Sequence, residues 1–211
     1  MNKIKSSFIY FTCFIVAIVF ANCKSTIKEA PILLFNGTGT SPNDVEAIKN
    51  ILSSNQMDFV LVNTAQLNGL DTNQLRKYKL IIIPGGNFIE IGKSLTAETT
   101  SNIQTAVHGG LDYLGICAGG FLAGNTPNNS FNFTSGVQFK FYSAEDKGIR
   151  KAAVAVTNAD GVMIEHYWED GPQFSGWGDV VSTYPDGTPA TVQSGYGRGW
   201  VVLTGVHPEA P

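Results

Sequence analysis

Residues 111–120 are the part of the sequence that says most about its fold, and they read Leu111-Asp112-Tyr113-Leu114-Gly115-Ile116-Cys117-Ala118-Gly119-Gly120. Its first half is mostly apolar, which favours a buried strand, and Phe121 to Gly124 continue as a short helical segment. A cysteine between a strand and a helix, flanked by glycines, is the pattern of a nucleophile elbow. The helix N-terminus would stabilise the thiolate of Cys117. The alternative interpretation is a buried cysteine in a glycine-rich turn.

Three more apolar runs precede this stretch, at residues 31–35, 59–62 and 80–83. Helical segments alternate with them: Ser41 is the predicted N-cap of the first, with Pro42 as its first helical residue, and 96–107 form another. Short strands that are apolar on both faces and separated by helices predict a parallel sheet covered on each side. The sequence therefore indicates an α/β fold with a mostly parallel central sheet.

The chain changes character after about residue 130, where strand-like runs follow one another with turns between them. These runs are Val137–Tyr142, Lys151–Thr157, Met163–Trp168, Asp179–Tyr184, Thr188–Gln193 and Trp200–Thr204. They predict a strand-rich C-terminal half that is antiparallel in part. No repeat or linker interrupts the sequence, so residues 31–211 are expected to form one domain.

Composition excludes several classes of protein. Only 15% of the 211 residues are charged and the net charge is −3, with no basic run in the folded part. Binding to nucleic acid through phosphate contacts is therefore not expected. A hydrophobic content of 43% is that of a chain with a core rather than of a disordered protein.

The N-terminus has the composition of an export signal. Lys3 and Lys5 precede the uncharged run Phe8–Ala21, which is too short for a comfortable membrane span. Residues 1–22 are thus predicted to be a lipoprotein-type signal peptide and 23–30 a tether, with Cys23 as the lipidation site. Simple cleavage after Ala21 is the alternative. The sequence predicts an exported protein of a bacterial cell envelope, in contact with the membrane through its lipid anchor only, or otherwise periplasmic or secreted.

The three cysteines are Cys13, Cys23 and Cys117, and only Cys117 lies in the predicted domain. It therefore has no partner there for a disulfide. No spacing of cysteine and histidine indicates a metal site, and no motif indicates a cofactor.

His207 is the candidate base among the three histidines. It follows the last apolar strand in Gly205-Val206-His207-Pro208-Glu209, and Pro208 favours extended geometry for the residue before it. Residues two apart in an extended segment face the same side, so Glu209 is expected to bond one ring nitrogen of His207 while the other faces Cys117. His108 ends a predicted helix, where a cation suits the dipole, and is expected to be structural.

Two main-chain amides are the predicted oxyanion donors. The amide of Ala118 follows the nucleophile directly. Gly86 lies in Ile83-Pro84-Gly85-Gly86-Asn87 at the end of the third strand, where glycine lets the backbone approach a substrate closely. Gly85 and Asn87 are expected to bind substrate at the same edge of the sheet. A simple tight turn is the alternative.

Together these motifs resemble the class I glutamine amidotransferase-like superfamily. Within it, Gly115–Phe121, Tyr167–Phe174 and Gly197–Glu209 are most similar to the biotin-protein ligase N-terminal domain family, and the resemblance covers residues 31–211. It implies a flavodoxin-like three-layer sandwich. It also implies that Cys117 is the nucleophile, His207 the base and Glu209 its orienting residue, with Gly86 and Ala118 at the oxyanion.

The sequence departs from this pattern in two places. Glutaminases carry a glutamine shortly after the elbow, where this chain has Gly120-Phe121. Relatives usually continue past the final glutamate with a helix, which implies a domain truncated at its C-terminus. No synthetase or ligase domain accompanies this one, so neither ammonia channelling nor biotin transfer is implied.

The segment Glu165–Asp170 is a polar and aromatic cluster in which Tyr167 is expected to bind substrate. His166 and Glu165 are an alternative pair for the triad, and a strand packed outside the main sheet is the simpler interpretation. The preferred function is a cysteine amide hydrolase acting on a small amide or a peptide. A non-catalytic module that binds a ligand or an envelope partner, and a thiol redox sensor, are the alternatives. The sequence does not indicate an oligomeric state.

Overall fold

The computed structural model describes residues 31–142 and 150–210. Its first half contains four short strands that pair in parallel: β1 (Ile32–Phe35), β2 (Phe59–Val62), β3 (Leu80–Ile83) and β4 (Asp112–Ile116). Both faces of this part of the sheet are covered, which is why each run is almost continuously apolar. The four predicted strands are confirmed.

Helices connect these strands: α1 (Pro42–Ser54), α2 (Thr64–Asn68), α3 (Thr72–Leu75), α4 (Phe88–Ser94), α5 (Ala97–His108) and α6 (Ala118–Ala123). The predicted start of α1 is confirmed, since the Ser41 side chain accepts a hydrogen bond from the Asp44 amide and Pro42 is the first helical residue. The predicted helix at 96–107 is α5, with Thr96 as its N-cap.

The sequence did not predict α2, α3 or α4. α2 and α3 have five and four residues, too few for a periodic pattern. Reciprocal capping boxes fix them instead, Asn63 with Gln66 and Asp71 with Gln74. α4 begins after Asn87, whose side-chain oxygen accepts hydrogen bonds from two amides of the first turn.

The second half adds β5 (Lys140–Phe141), β6 (Lys151–Asn158), β7 (Met163–Glu169), β8 (Pro172–Gln173), β9 (Asp179–Thr183), β10 (Pro189–Tyr196) and β11 (Gly199–Thr204). β11 joins β4 in parallel, and nine of the described strands form one sheet in the order β2-β1-β3-β4-β11-β10-β9-β6-β7. All pairs beyond β11 are antiparallel. The strand-rich half is confirmed, although the strand predicted at 137–142 is only β5, paired with β8.

The core lies on both faces of the parallel strands. On one face Leu34 and Ile82 pack against Ile48 of α1. On the other face Leu33 and Ile81 belong to a larger cluster that includes residues of the remaining helices. This arrangement of helix, sheet and helix confirms the predicted flavodoxin-like three-layer sandwich.

The carboxyl ends of β1, β3, β4 and β11 meet at one edge of the sheet, where parallel sheets carry their sites. The segments leaving this edge contain the N-cap of α1, Gly85-Gly86, Cys117 and His207. In the described ranges 31–142 and 150–210, no helix has the length and apolar character to cross a membrane.

Candidate active site

Cys117 lies at the turn between β4 and α6, with a backbone φ of 48° and ψ of −99°. A non-glycine residue at positive φ is strained and is held there by its surroundings. The buried Tyr113 hydroxyl helps to fix this turn by donating a hydrogen bond of 2.7 Å to the Gly119 carbonyl. The backbone geometry is that of a nucleophile elbow.

His207 follows β11 and lies deeply buried, with 4% of its surface exposed. Its amide donates a hydrogen bond of 2.8 Å to the Tyr167 carbonyl, which fixes the backbone. Its Nδ1 lies 2.9 Å from Oε1 of Glu209. His207 itself pairs with Tyr167 in an isolated antiparallel bridge, which agrees with the extended geometry expected for it, but the residues after it form a turn, with the Ala210 amide donating to the His207 carbonyl. The contact between His207 and Glu209 is therefore made within a turn.

Asp44 is a residue of this cluster that the sequence did not indicate. Its Oδ2 lies 3.3 Å from His207 Nδ1, and its Oδ1 accepts a hydrogen bond of 2.9 Å from the Ser41 hydroxyl. One sequence signal was available, because Asp44 lies in the first turn of the helix that leaves the carboxyl end of β1. Its partner is 163 positions away (207 − 44) in the chain, and no local pattern links the two.

The charges around His207 favour its protonated form. Burial lowers the pKa of His207, but hydrogen bonds with Asp44, Cys117 and Glu209, together with the Cys117 charge, raise it to about 12. The imidazolium is thus the form that this environment stabilises near neutral pH. With Nδ1 facing the carboxylates, the other ring nitrogen is the one left for Cys117.

The Cys117 side chain has a second neighbour. Its sulfur lies 3.5 Å from the Glu169 main-chain oxygen, within reach of a hydrogen bond from the thiol. The residue is 5% exposed and is a free cysteine. A neutral thiol therefore has this carbonyl as its acceptor, whereas the protonated His207 ring can only donate to the sulfur.

A cavity of about 450 Å³ opens beside the cysteine. Its polar lining is Ser41, Asp44, Gly86, Asn87, Cys117, Arg150, Glu169, Asp170 and His207, and its apolar lining is Phe88, Ile89, Phe121 and Phe141. Phe88 stacks on Phe121 with 4.5 Å between ring centroids, which gives the cavity a rigid aromatic wall. The volume suits a small organic ligand.

Gly86 and Ala118, whose amides are expected at the oxyanion, follow the carboxyl ends of β3 and β4. Gly86 lines the cavity and has a φ of 138°, a conformation that glycine adopts without strain. Ala118 is the first residue of α6, so its amide has no acceptor within the helix. The side chain of Asn87 caps α4, and the residue also lines the cavity.

Gly85 lies between Asp44 and His207 and is not among the residues that line the cavity. A β-carbon there would be 2.6 Å from Cε1 of His207 and closer still to Oδ2 of Asp44. Its carbonyl accepts a hydrogen bond of 2.9 Å from the Ser41 amide. The absence of a side chain at Gly85 is what allows Asp44 to reach His207.

The polar and aromatic cluster of β7 is divided between core and cavity. Tyr167 is not among the residues that line the cavity, but the centre of its ring lies 5.6 Å from that of His207. A hydrogen bond with Glu169 is the main cause that raises the pKa of Tyr167 to about 12. Trp168 is buried in a separate apolar cluster. Glu169 and Asp170 do line the cavity, and Asp170 accepts a hydrogen bond of 2.8 Å from Arg150.

The alternative pair, Glu165 and His166, also lies on β7 but outside the cavity lining. Burial lowers the pKa of His166, and the charge of Glu209 acts in the opposite direction. His108 ends α5 as expected, with its ring against Tyr196.

Among the described residues, Asp44, His207 and Glu209 form a group whose potential metal-ligand atoms lie within 4.8 Å of one another. The sequence indicated no metal site, because Asp44 lies far along the chain from His207 and Glu209. A metal ion on Nδ1 would have to displace the proton that the raised pKa of His207 retains.

A family model described as "Biotin-protein ligase, N terminal" matches residues 30–148, and so includes the Cys117 elbow but not His207. The chain is 26% identical over 214 aligned positions to a biotin–protein ligase of Schizosaccharomyces pombe, covering 84% of this chain and 33% of the ligase. It thus spans about a third of the length of that relative. The expected family resemblance is confirmed.

Solved structures agree on the fold. A protein described as a glutamine amidotransferase matches with a TM-score of 0.63 and 19% identity, over 85% of this chain and 90% of its own. PurLQS from Thermotoga maritima matches with a TM-score of 0.61 and 19% identity, over 85% and 88%. The predicted signal peptide, the tether and Cys23 lie outside the described residues.

Proposed function

This chain belongs to the biotin-protein ligase N-terminal family, and from that premise we propose that its folded domain is a cysteine-dependent amide hydrolase with Cys117 as nucleophile. The substrate class is a small amide, a peptide or a γ-glutamyl compound. The observation that carries the proposal is the meeting of three groups: a strained elbow cysteine at a cavity, a histidine that lines the same cavity, and a buried glutamate on that histidine.

The proposed reaction has two halves. The Cys117 sulfur attacks the amide carbon, and the carbonyl electron pair moves onto oxygen, where the amides of Gly86 and Ala118 hold it. His207 gives its proton to the leaving nitrogen as the carbon–nitrogen bond breaks, leaving a thioester and a free amine. His207 then takes a proton from water, which attacks the thioester. The carbon–sulfur bond breaks, and the products are a carboxylic acid and the restored Cys117.

The electrostatics support this order of events. Part of what raises the pKa of His207 is the hydrogen bond with Cys117 and the charge on that sulfur. Both contributions vanish once sulfur is bonded to carbon. The imidazolium then becomes a stronger acid at the step in which it must protonate the leaving nitrogen.

The test is alkylation of Cys117 followed by hydrolysis. In the purified domain, residues 31–211 as expressed, iodoacetamide should modify Cys117 at pH 7 about ten times faster than in His207→Ala. A screen of amides and peptides should give a turnover that Cys117→Ser removes. Equal alkylation rates in both proteins would contradict an activated nucleophile.

A binding module without chemistry is the second candidate. It is favoured by the contact between the Cys117 sulfur and the Glu169 carbonyl, which satisfies a neutral thiol. In that case Cys117→Ser would keep the same ligand affinity, because serine can donate the same hydrogen bond. A ligand that binds both proteins equally and is never hydrolysed would favour this candidate.

The proposal for location is export with a lipid anchor on Cys23. It rests on the basic start, the short apolar run and the cysteine that follows it. In a Gram-negative bacterial host, the full chain should take up labelled fatty acid and sediment with membranes, while Cys23→Ala should be released to the soluble fraction. Recovery of both proteins in the cytoplasm would contradict export.

A further inference from the structure

Two carboxylates converge on one nitrogen of His207. Oε1 of Glu209 lies 2.9 Å from Nδ1, and Oδ2 of Asp44 lies 3.3 Å from the same atom. We propose that Asp44 is a second positioning residue for His207, sharing the Nδ1 proton with Glu209 so that the opposite nitrogen stays aimed at Cys117. This inference rests on the proposed hydrolase function and deepens it.

Asp44 is itself held in place. The Ser41 hydroxyl donates to its Oδ1, which leaves Oδ2 directed at His207. Its place in the first turn of α1 puts the side chain beside the positive end of the helix dipole. Gly85 supplies the space, since any side chain would separate Asp44 from the ring.

The two carboxylates differ in their surroundings. The Glu209 side chain is 4% exposed and its Oε2 has no hydrogen-bond partner among the described residues. The Asp44 side chain is 16% exposed and lines the cavity. Glu209 therefore fixes the ring from the protein interior, whereas Asp44 fixes it from the side on which a substrate enters.

Four titratable groups surround His207, while the segment after β3 contacts it only through Gly85. Asp44 comes from α1, Cys117 from the elbow and Tyr167 from β7, while Glu209 lies on the same segment as His207. Tyr167 remains a neutral phenol below about pH 12, since its hydrogen bond with Glu169 raises its pKa to about that value. The protonation of His207 is thus set by the two carboxylates and the sulfur.

A measurement that needs no substrate separates this inference from the hydrolase proposal. The imidazole nitrogens of ¹⁵N-histidine-labelled protein are followed by NMR from pH 5 to 12, in the wild type, Asp44→Asn and Glu209→Gln. Alkylation of Cys117 by iodoacetamide is measured on the same samples. Glu98→Gln is the matched control, because Glu98 also lies in the first turn of a helix but is exposed and far from the site in sequence.

We expect wild-type His207 to stay protonated beyond pH 8. Asp44→Asn should lower the midpoint of its titration by about one pH unit or more and slow alkylation at pH 7 about tenfold, and Glu209→Gln should do the same. Ser41→Ala, which keeps the carboxylate but removes its support, should have a smaller effect in the same direction. Glu98→Gln should change neither reading.

Two results would overturn the inference. One is a wild-type His207 that is neutral at pH 7, and the other is an Asp44→Asn protein whose titration and alkylation match the wild type. Circular dichroism identifies a misfolded variant, and Ser41→Ala then decides the question. Failure to find a hydrolysed amide would weaken the hydrolase proposal but would not affect the His207 titration or the Cys117 alkylation rates.

Discussion

Gly119 packs so closely on β3 that a β-carbon at this position would lie 2.9 Å from the carbonyl carbon of Ile83 and nearer still to its oxygen. The first turn of α6 therefore rests directly on the neighbouring strand. This approach sets the depth of the Cys117 turn. The glycines around Cys117 thus have a packing reason as well as a conformational one.

Gly119→Ala is expected to destabilise the domain by about 3 kcal/mol, since backbone rather than a flexible side chain must move. Denaturant unfolding measures the loss. Gly69→Ala is the control, because a β-carbon there would make only ordinary contacts of 3.5 Å. A similar free energy of unfolding for the two variants would show that the elbow is looser than the packing indicates.

Tyr113→Phe removes the hydroxyl that holds the Gly119 carbonyl and keeps the ring packed on Phe133. The free energy of unfolding is expected to fall by about 1–2 kcal/mol, as for the loss of a buried hydrogen bond. Alkylation of Cys117 should also become slower, because the turn that presents it loses a support. Unchanged unfolding and alkylation would mean that the hydroxyl does not constrain the elbow.

Gly85→Ala places a methyl group between Asp44 and His207. One of the two must move, so alkylation of Cys117 at pH 7 is expected to fall about tenfold, with a stability loss of about 1–3 kcal/mol. A variant that alkylates at the wild-type rate would show that the contact between Asp44 and the ring has no part in activating the thiol. Gly69→Ala serves again as the control.

His207→Gln tests the linkage between protonation and stability. A histidine whose pKa is raised from 6.5 to about 12 in the folded state stabilises the fold fully below about pH 6.5. This stabilisation decreases steadily as the pH rises from about 6.5, and it is gone once the pH has passed about 12. The substitution should therefore lower the free energy of unfolding more at pH 6 than at pH 10. Denaturant unfolding at both pH values measures the difference.

The control for this experiment is His108→Gln, which removes an exposed histidine from the end of α5. A destabilisation by His207→Gln that is equal at the two pH values, or larger at pH 10, would contradict a protonated His207 in the resting protein.

Local sequence patterns were enough to predict the parallel strands, the start of α1 and the elbow. Each depends on residues that are neighbours in the chain: apolar runs bounded by turns, Ser41 before Pro42, and glycines around Cys117. The pairing of His207 with Glu209 was also anticipated, although by an extended segment where the structure has a turn. A spacing of two residues allows contact in either geometry.

The layers of the fold, and most of the residues at the carboxyl edge of the sheet, could thus be predicted from the sequence. Which of those residues contact one another depends on how the strands are ordered in the sheet. Asp44 and His207 are joined because β1 and β11 end at the same edge, and Gly85 on β3's exit leaves room between them. Strand order and the approach of two backbones are properties of the packed sheet, and hydrophobic periodicity along one strand carries no information about its neighbours across the sheet.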